Sequence, residues 1–200
     1  SLRLTNLTSN GYALNKAGAG TLELNRVRAG ALNIIGGTVR ILPDGTDAAV
    51  SKVAALNINS IGAGGAIAYQ ATLDLDNNSL AVDYTGASPI GTWNGSAYTG
   101  LTGAIASGRN GGAWNGAGII TSQSDAQSML TTLGIDEASD ALHLSAGTTA
   151  IWRGQTVDAD TVLIAYTYGG DANLDGRLNG DDYFAIDSHV NQNGSVFGFA

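Results

Sequence analysis

The chain has no cysteine, and only two of its 200 residues are proline. Without cysteine it has no disulfide framework, no thiol nucleophile and no thiolate-bound zinc. Charged side chains make up 13% of the residues, against about a quarter in ordinary soluble domains. Basic residues are few, nine Lys and Arg against 17 Asp and Glu, for a net charge of −8. No basic stripe is present to meet phosphate, so nucleic acid is not an expected partner. No apolar run approaches the about 20 residues of a membrane span, and no signal peptide opens the sequence. The chain starts in mid-pattern at Ser1-Leu2-Arg3-Leu4, so an export signal is expected upstream. A G-x-S-x-G nucleophile elbow is absent, as is a glycine loop followed by Lys-Ser or Lys-Thr.

Glycine is abundant, with 29 residues, and 44% of the chain is apolar. That combination points to many short strands joined by tight turns rather than to disorder. Four segments share one pattern: Thr21-Leu22-Glu23-Leu24, Thr38-Val39-Arg40-Ile41, Ala55-Leu56-Asn57-Ile58 and Thr72-Leu73-Asp74-Leu75, each starting 17 residues after the last. Apolar residues at the second and fourth positions with a polar one between make a half-buried strand. Each segment follows Gly20, Gly37, Ala54 or Ala71, small residues suited to a corner. A fixed period of strands and corners predicts a solenoid over residues 1–84, whose coils bury their apolar faces by stacking.

The run Asn15-Lys16-Ala17-Gly18-Ala19-Gly20-Thr21-Leu22-Glu23-Leu24, followed by Gly30-Ala31-Leu32-Asn33-Ile34 and Gly36-Gly37-Thr38-Val39, resembles the autotransporter-associated β-strand repeat. The likeness covers residues 12 to 42 well and the following rungs loosely. It implies a passenger region of an exported bacterial protein, folded as a right-handed parallel β-helix.

Beyond Tyr84 the register breaks at Pro89 and the Gly91-Thr92-Trp93-Asn94-Gly95-Ser96 cluster, a loop signature. A short helix is predicted over Leu101–Gly108, ending at the glycine, and a longer one over Ser124–Gly134, capped by Ser124 or Asp125. Residues 110–120 are too glycine-rich for a regular element, and strands resume at Leu142-His143-Leu144 and Val162–Tyr168. Residues 85–168 therefore read as an irregular α/β cap over the open apolar end of the solenoid.

Residues 169–200 carry the sharpest signal. Counting Asp171 as position 1, oxygen-bearing side chains fall at 1 (Asp171), 3 (Asn173), 5 (Asp175), 9 (Asn179) and 12 (Asp182), with Gly176 at 6. Calcium takes six to eight hard oxygen ligands, and alternate loop positions can aim several at one point. Arg177 at position 7 would offer its backbone carbonyl, and Leu178 at position 8 is expected to pack inward. Position 12 is Asp where the EF-hand pattern has Glu, which makes bidentate ligation less secure. A helix is expected from Tyr183 to Val190.

A D-x-N-x-D-G-x-x-N-x-x-D loop entering a helix, with a strand rather than a helix before it, resembles the first half of a type I dockerin. That resemblance implies calcium as cofactor and a cohesin-like protein or cell-surface component as partner, docking on the helix after the loop. The stretch from Trp114-Asn115-Gly116 through Tyr166-Thr167-Tyr168 into Gly170-Asp171-Ala172-Asn173-Leu174-Asp175-Gly176 resembles C-terminal regions of large exported proteins of planctomycetes. The expected location is bacterial, secreted or at the cell surface.

Catalytic candidates are sparse. A glycosidase needs two carboxylates across a cleft, and the strands offer Glu23, Asp74, Asp76 and Asp83, more simply read as solvated strand faces. His143 and His189 have no partner at ligand spacing, and Glu137, Asp140, Asp158 and Asp160 form no second metal loop. Trp93, Trp114 and Trp152 are suited either to stacking on sugar rings or to plugging the core of the cap. The sequence thus points to a non-catalytic structural or adhesive segment with a calcium loop. A β-helix lyase or glycosidase acting on polysaccharide, tethered by that loop, is the alternative, and a purely structural calcium clip is a third reading.

Overall fold

Short alternating segments broken by glycine fold as strands because one face can be buried and each corner can turn. The computed structural model describes residues 1–62 and 67–188. In chain order the elements are β1 (Leu2–Arg3), β2 (Asn6–Thr8), β3 (Ala13–Lys16), β4 (Thr21–Leu24), β5 (Arg26–Ile34), β6 (Gly37–Ile41), β7 (Ser51–Ile58), β8 (Ser60–Ile61), β9 (Ala68–Tyr69), β10 (Ala71–Asp74) and β11 (Ser79–Asp83). Then come α1 (Gly100–Arg109), β12 (Gly118–Ile120), α2 (Ser124–Gln127), β13 (Thr131–Glu137), α3 (Ala138–Ala141), β14 (Thr149–Trp152), β15 (Gln155–Asp158), β16 (Thr161–Tyr168) and α4 (Gly180–Ser188).

Two sheets face each other across the main core. The first is parallel, in the order β1-β4-β6-β10-β12. The second runs β13-β16-β11-β7-β5-β2, with β3 also on β5, and is mixed: β2, β3, β5, β7 and β11 are parallel, whereas β16 lies antiparallel to both β11 and β13. Two antiparallel pairs, β14-β15 and β8-β9, complete the strands. Leu22, Leu24, Val39, Ile41, Leu73 and Ile119 from the first sheet meet Val27, Leu32, Ile34, Leu80, Val82, Val162 and Ile164 from the second.

This overturns the expectation of a right-handed parallel β-helix. Several sheets, mixed and antiparallel, replace a solenoid, and the 17-residue period does not survive. Along the first sheet Thr21 pairs with Thr38, Thr38 with Thr72 and Thr72 with Gly118, steps of 17, 34 and 46 residues. Ala55–Ile58, counted as one of the four repeats, lies in the other sheet, opposite Ala31–Ile34. Side chains fix that register. Asn33 Nδ2 donates to Asn15 Oδ1 at 2.6 Å and Asn57 Nδ2 to Asn33 Oδ1 at 2.8 Å, a ladder across β3, β5 and β7. Ala54 is accordingly mid-strand, not a corner. The corner before β6 is a built one: the buried Lys16 donates Nζ to the carbonyls of Ala17, Gly18 and Gly36 at 3.2, 2.7 and 2.8 Å.

Residues 85–168 add strands to both sheets. The glycine-rich stretch supplies β12 beside β10, contrary to its reading as irregular. Gly118 makes this possible, since it has φ +123° and a Cβ there would stand 2.2 Å from the Ala104 carbonyl oxygen. Helix α1 ends at Asn110, left-handed at φ 43°, while Gly108 lets the helix press on Ile119 rather than stopping it. The predicted Ser124–Gly134 helix is a single turn, α2, cut at Met129 (φ 63°). Thr131-Thr132 and the alternation through Leu133 and Ile135 instead pair β13 with β16, where β-branched residues are favoured. Leu142-His143-Leu144 is a turn after α3, with His143 exposed at φ 53°.

Strand β16 carries Val162 and Ile164 into the main core and Leu163 and Ala165 into a second cluster, with Val50, Ala81, Ala138, Ala141, Trp152, Val157 and Leu174. Burial on both faces explains its unbroken apolar run. That second cluster seats the acidic loop. Among the described residues no helix is long and apolar enough to cross a membrane.

Candidate functional site

Strand β16 ends at Tyr168 and the chain turns through Gly170 (φ +99°) into the loop that precedes α4. Asp171 and Asp182 are fully buried. Asp171 accepts hydrogen bonds at Oδ1 from Asp175 N (3.1 Å) and at Oδ2 from Gly176 N (2.9 Å), and also from the Thr167 hydroxyl. Asp182 accepts at Oδ1 from Ala172 N (2.9 Å) and Asn173 N (3.4 Å), and at Oδ2 from Asn179 N (2.8 Å). It thereby ties the first turn of α4 back across the loop. Asn173 Oδ1 accepts from Asp175 N at 3.0 Å, Asp175 Oδ1 from Arg177 N at 2.8 Å and Asn179 Oδ1 from Asp181 N at 2.7 Å. Each predicted side-chain ligand is therefore held by the loop's own backbone. Arg177 enters through its amide.

Burial pushes the Asp171 carboxyl above the usual carboxylate range, and the charges of Asp182 and Asp175 push the same way against the hydrogen bonds from Thr167 and Gly176. Among the described residues none of these acids forms an ion pair; the bridges there are Arg40 with Asp74 and Asp76, and Lys52 with Asp83. The donor set is of the hard-oxygen kind that calcium takes. The three carboxylates do not converge, however: no group of three or more His, Cys, Asp or Glu is drawn together as a metal site among the described residues. The residue types fit the ion, and the side chains are parked on backbone amides.

The apolar anchor of the loop is Leu174, fully buried in the second cluster with a left-handed backbone (φ 58°). Leu178, expected inside, is 50% exposed and rests near Gly170. Sequence reading also missed the β14-β15 hairpin that covers the loop. Trp152 donates Nε1 to the Leu174 carbonyl at 3.2 Å, and the Arg153 guanidinium lies 5.5 Å from the Trp152 ring centroid. Arg153 Nη2, the far end of a flexible side chain, is 3.2 Å from where a Cβ on Gly176 would stand, so position 6 needs glycine for its φ of +86° rather than for space. Burial lowers the pKa of Arg153, while Asp171, Asp47 and Asp175 act to raise it. The signal for this contact was a lone arginine beside a tryptophan, which names no partner by itself.

Helix α4 begins at Gly180, earlier than the predicted Tyr183, and leaves Tyr183 and Phe184 60% and 76% exposed. His189 and Val190 lie outside the described residues.

The carboxylates weighed as catalytic are engaged elsewhere. Glu23 stands opposite Arg40 and Arg40 opposite Asp74 in the first sheet. Arg40 Nη2 meets Asp76 Oδ2 at 2.8 Å, with Ser122 and Gln123 also donating to Asp76. Asp83 pairs with Lys52 at 2.8 Å.

No family model, curated protein or solved structure matches this chain.

Proposed function

We propose that the chain is a non-catalytic structural segment of an exported or cell-surface protein, in which the loop from Asp171 to Asp182 takes calcium and clips α4 to the mixed sheet. The observation that carries this is the seating of the loop. Leu174 is sunk in the second cluster, with Asp171 and Asp182 buried and no cation paired to either among the described residues. Asp171, Asn173, Asp175, Asn179 and Asp182, with the Arg177 carbonyl, would hold the ion. Bound calcium would supply positive charge and an oxygen shell to groups that otherwise repel one another. The chain's own part is to fix the loop ends, through Asp182 on the amides of Ala172 and Asn179 and through Leu174 under Trp152.

The exposed Tyr183 and Phe184 on α4 support a docking role of the cohesin-binding kind, with the helix presented rather than buried. A polysaccharide-cleaving role is less well supported, because Asp74, Asp76 and Asp83 are tied into ion pairs instead of facing a cleft.

The test is calcium titration calorimetry and thermal melting of the full chain and of the Asp171→Ala, Asp175→Ala double variant. One site, lost in the double variant, with a calcium-dependent rise in Tm, is the expected result. An intact chain that neither binds calcium nor melts higher in its presence would defeat the reading. Capture of a cohesin-type module that Phe184→Ala abolishes would add the docking function; Tm stabilisation with no capture would leave the clip alone.

A further inference from the structure

The three tryptophans do not share one role. Trp114 and Trp152 are 3% and 4% exposed, and each donates Nε1 to a backbone carbonyl, of Ala126 and Leu174. Trp93 is 49% exposed, and its indole N–H has no protein partner among the described residues. It overhangs a cleft of about 290 Å³ lined by Tyr69, Asn94, Tyr98, Thr99 and Ser107, at the small end of the range for small-molecule sites. We infer that this cleft binds a neutral saccharide, with Trp93 as the stacking platform.

The walls are fixed in advance. Trp93 and Tyr98 form an antiparallel bridge, with their rings edge to face at 5.1 Å. Asn94 Oδ1 closes the tip of that ribbon by accepting from Ser96 N and Ala97 N, both at 3.0 Å. Thr99 Oγ1 locks the base, accepting from Thr92 N at 2.9 Å and donating to Thr92 O at 3.1 Å. On the far side the Tyr69 hydroxyl donates to the Gly100 carbonyl at 2.9 Å. A ligand entering such a frame orders little protein, so little of its binding energy is lost to ordering.

The chemistry of the lining selects the ligand class. A sugar ring offers an apolar C–H face to an aromatic plane and hydroxyls at its edge. Here an exposed indole stands beside the Asn94 amide, whose Nδ2 donors have no partner among the described residues. Ser107 donates its hydroxyl to the Ala117 carbonyl at 2.7 Å and keeps its lone pairs to accept. Among the described residues no charged side chain lines the cleft, so a uronate, sialate or phosphate would lose its hydration without a counter-charge. The described lining likewise holds no carboxylate, so it offers groups that bind and no hydrolytic pair. The site lies apart from the acidic loop and does not depend on calcium occupying it.

The experiment is calorimetry and tryptophan fluorescence on the full chain with cellotetraose, tetra-N-acetylchitotetraose and mannotetraose as probes. It is run once with calcium and once with chelator, so that loss of the loop function is not read as loss of this site. At least one probe is expected to bind and to shift the emission to the blue. Trp93→Ala is expected to weaken binding at least tenfold. Ala106→Gln, which fills the cleft from exposed Ala106 on α1 without touching the ribbon, is expected to do the same with an unchanged Tm. Absence of binding by all three probes, or binding that both variants leave intact, would overturn the inference. So would a cleft that takes a neutral apolar dye such as N-phenyl-1-naphthylamine in a Trp93-dependent way but none of the sugars.

Discussion

The indole N–H of Trp152 is bonded to the carbonyl of Leu174 at 3.2 Å, joining the hairpin over the mixed sheet to the middle of the acidic loop. The leucine side chain is fully buried on the same cluster. Leu174→Ala is expected to cost about 3 kcal/mol, the usual range for a buried leucine truncation, and to weaken the calcium binding proposed for the loop. Leu178→Ala, at a half-exposed position, is expected to cost less than about 0.5 kcal/mol, as surface changes usually do. Urea denaturation with and without calcium separates the two. Equal losses at both positions would mean that the loop is not anchored where the structure places it.

Arg40 holds two acids whose proton affinities are driven apart. Burial raises the Asp74 carboxyl above its ordinary range. Burial also works to raise Asp76, but hydrogen bonds from Arg40, Gln123 and Ser122 outweigh it and hold that carboxyl below the ordinary value. A depressed carboxyl lends stability that is complete above its unfolded pKa, about 3.9, and is lost as pH falls through the lower folded value. Asp74 has the opposite sign, with its burden relieved as pH falls through its raised folded value. Arg40→Leu should therefore cost about 2 kcal/mol at pH 7, discounted from a fully buried pair because Arg40 is 38% exposed. Its deficit against the parent chain should shrink as pH falls, first through the raised range of Asp74 and then below the ordinary carboxylate value of about 4 as Asp76 follows. Denaturation curves at neutral and acid pH check this; a deficit independent of pH would assign Arg40 a packing role only.

The loop's turns were legible because its pattern is local: five oxygen-bearing residues and Gly176 can be counted along the chain, and each of the five caps a backbone amide. What holds the loop was not. Leu174 and Trp152 are 22 residues apart, and nothing in either residue names the other. The strand segments were legible by alternation at Thr21–Leu24 and Thr38–Ile41, and by a run of apolar and aromatic residues at Val162–Tyr168, all of which are strands. Their partners were not, because equal spacing and sheet neighbourhood are different quantities. Ala55–Ile58 has the right interval for the first sheet and sits in the second, where Asn57 finds Asn33. The predicted Ser124–Gly134 helix failed for a related reason, since Leu133 fits a helical face from Ala126 and equally an alternating strand with Ile135. Pairing with β16 decided it.

Gly118 couples α1 to the first sheet. Its φ of +123° and the 2.2 Å approach of the Ala104 carbonyl to a virtual Cβ leave no place for a side chain. Gly118→Ala combines a disfavoured backbone with overpacking, for an expected cost of about 3 kcal/mol. Gly111→Ala serves as the control, because it shares a positive φ of +69° but has nothing within 4 Å of its Cβ. Its cost should be about 1 kcal/mol, that of the backbone alone. If the two variants melted alike, close approach of the helix would not be what Gly118 is for.

The asparagine ladder makes a prediction about position rather than residue type. Asn33 donates to Asn15 and accepts from Asn57, so Asn33→Ala breaks both links, whereas Asn15→Ala breaks one. At about 0.5–1 kcal/mol for each hydrogen bond, losses of about 1 and about 0.5 kcal/mol are expected, at the lower end because Asn15 and Asn57 are exposed. A double-mutant cycle between Asn15 and Asn57 should show little direct coupling, since they touch only through Asn33. Once Asn33 is replaced, Asn15→Ala should become nearly silent. Should Asn15→Ala cost as much in the Asn33→Ala background as in the parent chain, the three residues would be acting singly, and the register of β3, β5 and β7 would have to rest on the apolar side chains of Leu14, Leu32 and Leu56 on the opposite face.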